Sequence, residues 1–336
     1  MKKKAVYLAE LEKSKIFEVF DTSTRNRLEQ WVDFYPTHIN HANVEQHRDG
    51  LQDVEVAFST WGISKFTEEE LQRYFPNLKI VLYGAGSVQY FARPFLARDI
   101  IVVSSWAANA IPVAEFTVAT IVLANKGFFE TGRQYKKNGH KQAIASRSHY
   151  RGNYGLTVGL LGAGMIGKKV IEMLKAYNIR VKVFDPFLPD AKAAELGVEK
   201  SDLLDIFSTC DTISNHLANL PETQGILHKE HFDRMKPYAT FINTGRGAQV
   251  VEADLIQALK DEPGRVALLD VTFPEPVEAD SEFLPLENVI LTPHIAGSMN
   301  DEVARMGAFA AEEFERYLKG EPLRYQVTLE MLATMA

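Results

Sequence analysis

Three short segments of the chain each carry one reactive side chain in a setting that suits chemistry. The first is Ile242-Asn243-Thr244-Gly245-Arg246-Gly247. Two glycines flank Arg246, so the backbone can turn sharply and expose a guanidinium, whose planar fork of donors matches a carboxylate and a neighbouring keto oxygen. The second is Asp270-Val271-Thr272-Phe273-Pro274-Glu275-Pro276. Prolines bracket Glu275 and stiffen its backbone, and a rigid carboxylate is what holds a histidine in one tautomer and favours its charged form. The third is Thr292-Pro293-His294-Ile295-Ala296-Gly297, where His294 follows the apolar run Val289–Leu291 and suits proton transfer near neutral pH. Taken singly, these are also a turn arginine, a solvated loop glutamate and a strand-end histidine. The three in this order, each just after an expected strand, are far more specific, because ligands in open α/β sheets bind outside the carboxyl ends of strands.

A fourth segment supplies the partner for such chemistry. Gly162-Ala163-Gly164-Met165-Ile166-Gly167 is a G-x-G-x-x-G placed after the expected strand Thr157–Leu161 and at the head of an expected helix, Met165–Tyr177. Gly162 allows a tight turn, Gly164 lets a pyrophosphate approach the backbone, and Gly167 lets helix and strand pack closely. The helix start, at Met165 and Ile166, then presents free N–H groups and a partial positive charge to phosphates. Some eighteen residues past Gly167 the next strand ends at Asp185, whose carboxylate can accept both ribose hydroxyls and would repel a 2′-phosphate; this favours NAD over NADP. A glycine-rich turn without ligand, and an Asp-Pro turn at Asp185, are the plain alternatives.

The elements needed to position these groups are legible as alternating strands and helices. In the first hundred residues, Val54–Ser59, Lys79–Tyr83 and Ile100–Ser104 read as strands, and Thr67–Tyr74 as a helix with Thr67 and Glu70 as a capping box. A nearly all-apolar helix is expected over Ile111–Phe129, with Pro112 in its first turn. A basic, irregular stretch follows to about Gly155. Beyond the Gly162 motif, strands are expected at Arg180–Phe184, Asp211–Asn215, Thr240–Asn243, Val266–Leu269 and Val289–Leu291. Helices are expected near Ala191–Leu196, at Glu252–Asp261 and at Asp301–Lys319. The apolar run Ile206–Ser214 reads as buried strand around Cys210. The fold class is therefore α/β, with two doubly wound parallel-sheet domains.

With 336 residues, 46% hydrophobic and 24% charged, the chain has an ordinary globular composition sized for two domains. A net charge of −7 argues against a nucleic-acid surface; the basic stretches Lys2–Lys4 and Arg133–Lys141 read as solvated faces. The single cysteine allows no internal disulfide and sits in no metal-ligand spacing, which suits a reducing cytosol and no metal site. Glu10, Glu12 and Lys13 stand where a signal peptide needs an apolar run, and no run approaches the roughly 20 apolar residues of a membrane span. A cytoplasmic protein without a membrane partner is expected.

On these motifs the chain resembles the D-isomer-specific 2-hydroxyacid dehydrogenase family, most closely over Gly155–Gly297 and above all in Leu291-Thr292-Pro293-His294-Ile295-Ala296-Gly297. The resemblance implies a cofactor domain at 106–297 and a split, flavodoxin-like substrate domain at 1–105 plus 298–336. A cleft would lie between them, with hinges near Ser105–Ala107 and Gly297–Ser298. It implies NAD as cofactor and hydride transfer to or from C2 of a small 2-keto or 2-hydroxy acid. His294 would be the acid/base, Glu275 its partner and Arg246 the substrate anchor. The Gly84-Ala85-Gly86 amides would take the substrate carboxylate. His216, Thr223, Thr244, Asp270 and Gly297 would stand near the cofactor. A homodimer through the 106–150 region would follow from the apolar helix there.

The chain departs from the family pattern at Ser87-Val88-Gln89-Tyr90-Phe91, where acidic or amide residues are usual, and at His216-Leu217-Ala218, which lacks the expected proline. The first departure bears on substrate identity and the second on phosphate contact. Trp61, Tyr83, Tyr90, Phe91 and Trp106 read either as core or as the lining of a pocket for a bulkier keto acid. A non-catalytic, NADH-sensing corepressor-like binding protein is the reading from another class; formate dehydrogenase, which has an amide in place of the glutamate, is disfavoured by Glu275. The lack of a long stretch after residue 330 argues against an attached regulatory domain.

Overall fold

The structure is a computed structural model that describes residues 2–10 and 14–333; Glu12 and Lys13 lie outside the described residues. In chain order its strands are β1 (Lys3–Leu8), β2 (Val32–Phe34), β3 (Val56–Ser59), β4 (Ile80–Tyr83), β5 (Ile101–Ser104), β6 (Tyr154–Leu161), β7 (Asn178–Phe184), β8 (Glu199–Lys200), β9 (Thr212–Asn215), β10 (Thr240–Asn243), β11 (Val266–Leu269), β12 (Val289–Leu291) and β13 (Gln326–Val327). They form two sheets in two compact units, residues 1–109 with 298–336 and residues 110–297. The first boundary thus falls inside the long helix Trp106–Asn125 rather than at its start.

In the first unit the sheet order is β13-β5-β4-β3-β1-β2, parallel except for the edge strand β13. Its strands are buried on both faces, so they read as continuous apolar runs rather than alternating ones. Val6, Leu8, Ala57 and Val81 join one core cluster; their neighbours Ala5, Tyr7, Phe58 and Leu82 join another. The second cluster is completed by the helix Val303–Leu318, which buries Val303, Met306, Ala310 and Phe314 at helical spacing. That face returns the chain's end to the unit in which it began. Gly307 is required there, since a Cβ would lie 1.9 Å from the Val19 carbonyl oxygen. Thr67 caps its helix as expected, accepting from Glu70 N at 3.2 Å while Glu70 Oε2 accepts from Thr67 N at 2.8 Å.

The second unit has a seven-stranded, all-parallel sheet ordered β12-β11-β10-β9-β6-β7-β8. The strand order reverses between β6 and β9, the point at which such sheets open a crevice. Apart from the Ile206–Cys210 part of the run Ile206–Ser214, every strand expected in this half is present within a few residues of its expected bounds.

Four expectations are corrected. The apolar helix begins at Trp106, five residues before Ile111, and ends at Asn125; Pro112 lies inside it, and Gly127, at φ +68°, separates it from a second helix. The added Trp-Ala-Ala-Asn-Ala turn makes the helix long and apolar enough, by length and composition, to cross a membrane, contrary to the expectation that no run approaches that length; 61% of its apolar window is buried within the protein. The stretch expected to be irregular holds the helices Phe128–Asn138 and His140–Ser146. Ile206–Thr209 is helix rather than strand. Asp202 caps it by accepting from Asp205 N, Ile206 and Phe207 are buried one turn beyond Leu203, and Cys210 ends it. Burial pushes the Cys210 thiol up to about 12, so it stays a packed thiol.

Candidate active site

The glycine motif stands at the carboxyl end of β6 with a separate reason for each glycine. Gly162 sits at φ +96°, and a Cβ there would lie 2.6 Å from the His216 carbonyl oxygen. A Cβ on Gly167 would lie 2.1 Å from the Gly162 carbonyl oxygen, so helix and loop meet backbone to backbone. A Cβ on Gly164 would meet nothing within 4 Å. The protein therefore fills the space around two of the glycines and leaves it open at the third. The helix Met165–Leu174 starts at once, with no side-chain cap on its first turn. Free N–H groups, an open approach and a positive helix end fit a dinucleotide pyrophosphate.

Asp185 uses its carboxylate to fix this loop. Oδ2 accepts from Ala163 N at 2.7 Å and Oδ1 from Phe187 N at 2.8 Å. Each carboxylate oxygen keeps a lone pair, so the group can still accept from a ribose hydroxyl. The other cofactor candidates divide. Thr223 spends its hydroxyl on its own turn, against Ala218 O at 2.7 Å and Leu220 N at 3.0 Å. His216 is buried, with Nε2 2.9 Å from Ser214 Oγ and Nδ1 3.4 Å from Thr244 Oγ1, and Thr244 continues to Thr117 Oγ1 at 3.4 Å. Burial alone lowers the His216 pKa to about 4. This is a neutral, interior polar chain rather than a charged hand for phosphate. Gly297 is the last residue of the unit.

His294 follows β12, and its Nδ1 lies 2.7 Å from Glu275 Oε1. The backbone around it is made by Asp270, at the end of β11. That carboxylate is 2% exposed and accepts from Thr292 Oγ1 at 2.6 Å, Ile295 N at 2.8 Å and Ala296 N at 2.9 Å, while Asp270 O accepts from His294 N at 3.0 Å. The loop closes tightly enough to hold His294 at φ +55°, a left-handed conformation that non-glycine residues adopt only when their surroundings impose it. Asp270, expected near the cofactor, has its bonds committed to positioning the histidine loop. Glu275 is held in turn through Phe273 N, which donates to Glu252 Oε1 at 2.8 Å, and through Thr272 Oγ1, which donates to Pro274 O at 2.8 Å.

Arg246 ends up half-buried, and that burial lowers its pKa against the opposing pull of the Glu275 charge. Among the described residues its guanidinium makes one hydrogen bond, from Nη1 to Gly245 O at 2.7 Å, and no carboxylate there lies within 4 Å of it. A guanidinium drawn out of water without an ion pair is costly unless an anion completes it. Gly247 beside it is obligatory: a Cβ would lie 2.0 Å from the Thr272 carbonyl carbon.

Sequence reasoning missed the amides that aim this arginine. Asn215 and Asn243 are register partners at the ends of β9 and β10. Asn215 Nδ2 donates to Asn243 Oδ1 at 3.0 Å and to Gln249 Oε1 at 2.6 Å; Asn243 Nδ2 donates to Arg246 O at 3.1 Å; Gln249 Nε2 donates to Leu217 O and Ala218 O, both at 2.9 Å. All three are buried. Two asparagines closing apolar strands are the signal that would have found them.

In the first unit, Gly84-Ala85-Gly86 follows β4. Its carbonyls are taken, Gly84 O by Thr60 Oγ1 at 3.2 Å and Ala85 O and Gly86 O by Ser104 Oγ at 2.9 and 2.6 Å. The Ala85 and Gly86 N–H groups have no partner among the described residues.

Comparison with known proteins bears on the same segments. The sequence model described as "D-isomer specific 2-hydroxyacid dehydrogenase, NAD binding domain" matches residues 118–296. The chain is 32% identical over 254 residues to the D-3-phosphoglycerate dehydrogenase of Archaeoglobus fulgidus, and 33% identical over 249 residues to that of Mycobacterium leprae. These alignments cover 75% and 73% of this chain but 48% and 46% of the relatives, so the chain spans about half the length of the curated relatives it matches. Among solved structures, a phosphoglycerate oxidoreductase from Rhizobium etli (TM-score 0.79, 24% identity, 96% of this chain and 97% of that one) shares the fold. So does the D-mandelate dehydrogenase of Rhodotorula graminis (TM-score 0.80, 19% identity, 97% and 98%). The matched span takes in the glycine loop, Arg246, Glu275 and His294, and with it the chain belongs to the D-isomer-specific 2-hydroxyacid dehydrogenase family.

Proposed function

We propose that the protein transfers a hydride between NAD(H) and C2 of a 2-keto or 2-hydroxy acid, with His294 as acid/base, Glu275 as its partner and Arg246 as the anchor of the organic acid. The observation that carries this reading is the 2.7 Å bond between His294 Nδ1 and Glu275 Oε1. With Nδ1–H donated to the carboxylate, Nε2 is the nitrogen that handles the substrate proton. The cofactor, when bound on the glycine loop, supplies the hydride. In the reduction direction C2 gains that hydride, the carbonyl electron pair moves to oxygen, and His294 Nε2–H donates the proton that makes the hydroxyl. Arg246 stabilises the charge as it develops on oxygen and grips the carboxylate, which accounts for a half-buried guanidinium without a protein counter-ion. Within the first unit, the Ala85 and Gly86 amides are assigned to an anion such as a substrate carboxylate. The Asp185 carboxylate supports NAD over NADP, because it would repel a 2′-phosphate.

Oxidation of NADH by a panel of 2-keto acids tests this, with NADPH run alongside. Turnover with NADH, slower turnover with NADPH, and loss of activity in Arg246→Lys are expected, since an ammonium does not reproduce the fork. Binding of NADH with no turnover of any keto acid favours the corepressor-like alternative. We further propose a homodimer built on the 106–150 region, where Leu123, Phe128, Tyr135 and Ile144 expose apolar surface. Sedimentation of Phe128→Glu as a monomer against a dimeric wild type would support it, and a monomeric wild type would contradict it.

A further inference from the structure

The amide network of the second unit grips two loops at once. Arg246 is held on both sides: its N–H donates to Gln249 Oε1 at 3.3 Å, and its carbonyl oxygen accepts from Asn243 Nδ2 at 3.1 Å. Leu217, just after β9, is held in the same way. Its N–H donates to Asn215 Oδ1 at 3.2 Å, and its carbonyl oxygen accepts from Gln249 Nε2 at 2.9 Å. The two brackets meet where Asn215 Nδ2 donates to Gln249 Oε1 at 2.6 Å. Leu217 belongs to the wall of the glycine loop, since a Cβ on Gly162 would lie 2.6 Å from His216 O and 3.1 Å from Leu217 N. The network therefore runs without a gap from that wall to the backbone that carries the guanidinium.

Gln249 is fully buried and uses its whole bonding capacity. Oε1 accepts twice, and Nε2 donates both hydrogens, to Leu217 O and to Ala218 O at 2.9 Å. Asn215 is also fully buried and uses both amide hydrogens, on Gln249 Oε1 and on Asn243 Oδ1. A buried network with its members satisfied is rigid, because displacing one leaves an amide or carbonyl unpaired away from water. Gly245 lets the arginine loop lie on it: a Cβ there would be 3.0 Å from Gln249 Oε1 and 3.1 Å from Asn215 Nδ2. Backbone bonds tie the same stretches again, Gly225 N to Ala248 O at 2.9 Å and Leu227 N to Gln249 O at 3.0 Å. Packing alone does not call for the side-chain amides, since apolar groups of the same shape fill such places at little or no cost.

We propose that Asn215 and Gln249 are positioning residues that lock the Arg246 loop to the wall of the glycine loop, so that a dinucleotide bound at one fixes the arginine on the other. The inference rests on the dehydrogenase reading above. Hydrogen-exchange mass spectrometry with and without saturating NADH tests it with no organic acid present. In the wild type NADH is expected to slow exchange over residues 243–249 by about fivefold or more. The double variant Asn215→Leu/Gln249→Leu exchanges the amide pair for apolar side chains. It is expected to bind NADH still, to lose that slowing, and to drop kcat/KM for the best keto acid of the panel by about tenfold or more. A merely structural role lowers the melting temperature and leaves the NADH-dependent slowing in place. Should the double variant fail to fold, Gln249→Met reads the same two quantities and leaves Asn215 its bonds to Asn243 Oδ1 and Leu217 N. No slowing in the wild type, slowing that persists in a folded variant, or a variant kcat/KM within about twofold of wild type overturns the proposal. A wild type that binds NADH and reduces no keto acid overturns the dehydrogenase reading instead. The exchange measurement then decides alone: loss of the slowing in the variant supports the positioning role, and its persistence overturns it. A wild type that binds no NADH overturns both.

Discussion

The tripeptide Gly-Ala-Gly occurs twice after a parallel strand, at 84–86 and at 162–164, and the two copies stand in different surroundings. At 162–164 a third glycine, Gly167, lets the loop carbonyl sit against a helix that begins at the next residue and runs for ten. At 84–86 the next helix, Ala92–Ala97, starts six residues later and is six residues long. The second-unit loop therefore offers a helix end, with its field and a set of uncapped donors, while the first-unit loop offers only two separate amides. One suits a pyrophosphate and the other a single carboxylate. The glycines also differ in what excludes a side chain: Gly84 is crowded by the buried Val19 side chain, at 2.6 Å, but Gly167 is crowded by backbone.

The comparison breaks most sharply at Gly167. A Cβ 2.1 Å from the Gly162 oxygen forces the helix off the loop, so Gly167→Ala should lose several kcal/mol of stability, on the order of 2–4, and abolish NADH binding in a fluorescence titration. Asp270→Asn should come next. It turns an amide donor toward one of the Ile295 and Ala296 N–H groups, which the two carboxylate oxygens now accept separately, with a loss of about 2–3 kcal/mol in urea melts and loss of turnover. Gly164→Ala sharpens the contrast, because the protein has nothing there to clash with. Its melting temperature should stay within a few degrees of wild type while its NADH dissociation constant rises about tenfold or more. Gly86→Ala should do least: its Cβ would meet Asn109 Nδ2 at an ordinary 3.6 Å, leaving stability and NADH affinity nearly unchanged.

The interior beside the second loop has its own pH signature. The folded chain keeps His216 neutral down to about pH 4, whereas the unfolded chain protonates it near its ordinary value of about 6.5. Between those values the unfolded state binds more protons, so stability falls as pH drops from about 6.5 to 4 and levels off below. The loss attributable to His216 is on the order of 3 kcal/mol; it should be absent from His216→Asn, so the stability difference between wild type and variant in urea melts should change by that amount across the window.

Much of this was legible in sequence because backbone requirements leave residue-level marks. The G-x-G-x-x-G, the Thr67–Glu70 capping box and the strands of the second unit were readable where pattern and local chemistry agree. Ile206–Cys210 was misread because a short apolar run serves a buried strand and a helix face equally, and the Asp202 cap that decides between them lies outside the run. The helices over 128–146 were missed because their charged residues give no apolar stripe strong enough to stand out. Asp270 was placed near the cofactor by the family resemblance, and which of its neighbours would take its oxygens depends on how residues 292–296 fold back, a tertiary fact. For the Asn215–Asn243–Gln249 network the sequence carries a mark, an asparagine closing each of two apolar strands, but the bonds that join its members are drawn from three separate stretches and are a tertiary fact.

The central claim is that the histidine carries the proton while a separate glycine loop carries the cofactor. Single-turnover stopped-flow on His294→Ala, with NADH bound and keto acid mixed in, reads both at once. The account predicts NADH affinity within about twofold of wild type and hydride transfer slowed by about 10²–10⁴-fold. Hydride transfer at the wild-type rate in that variant would contradict it.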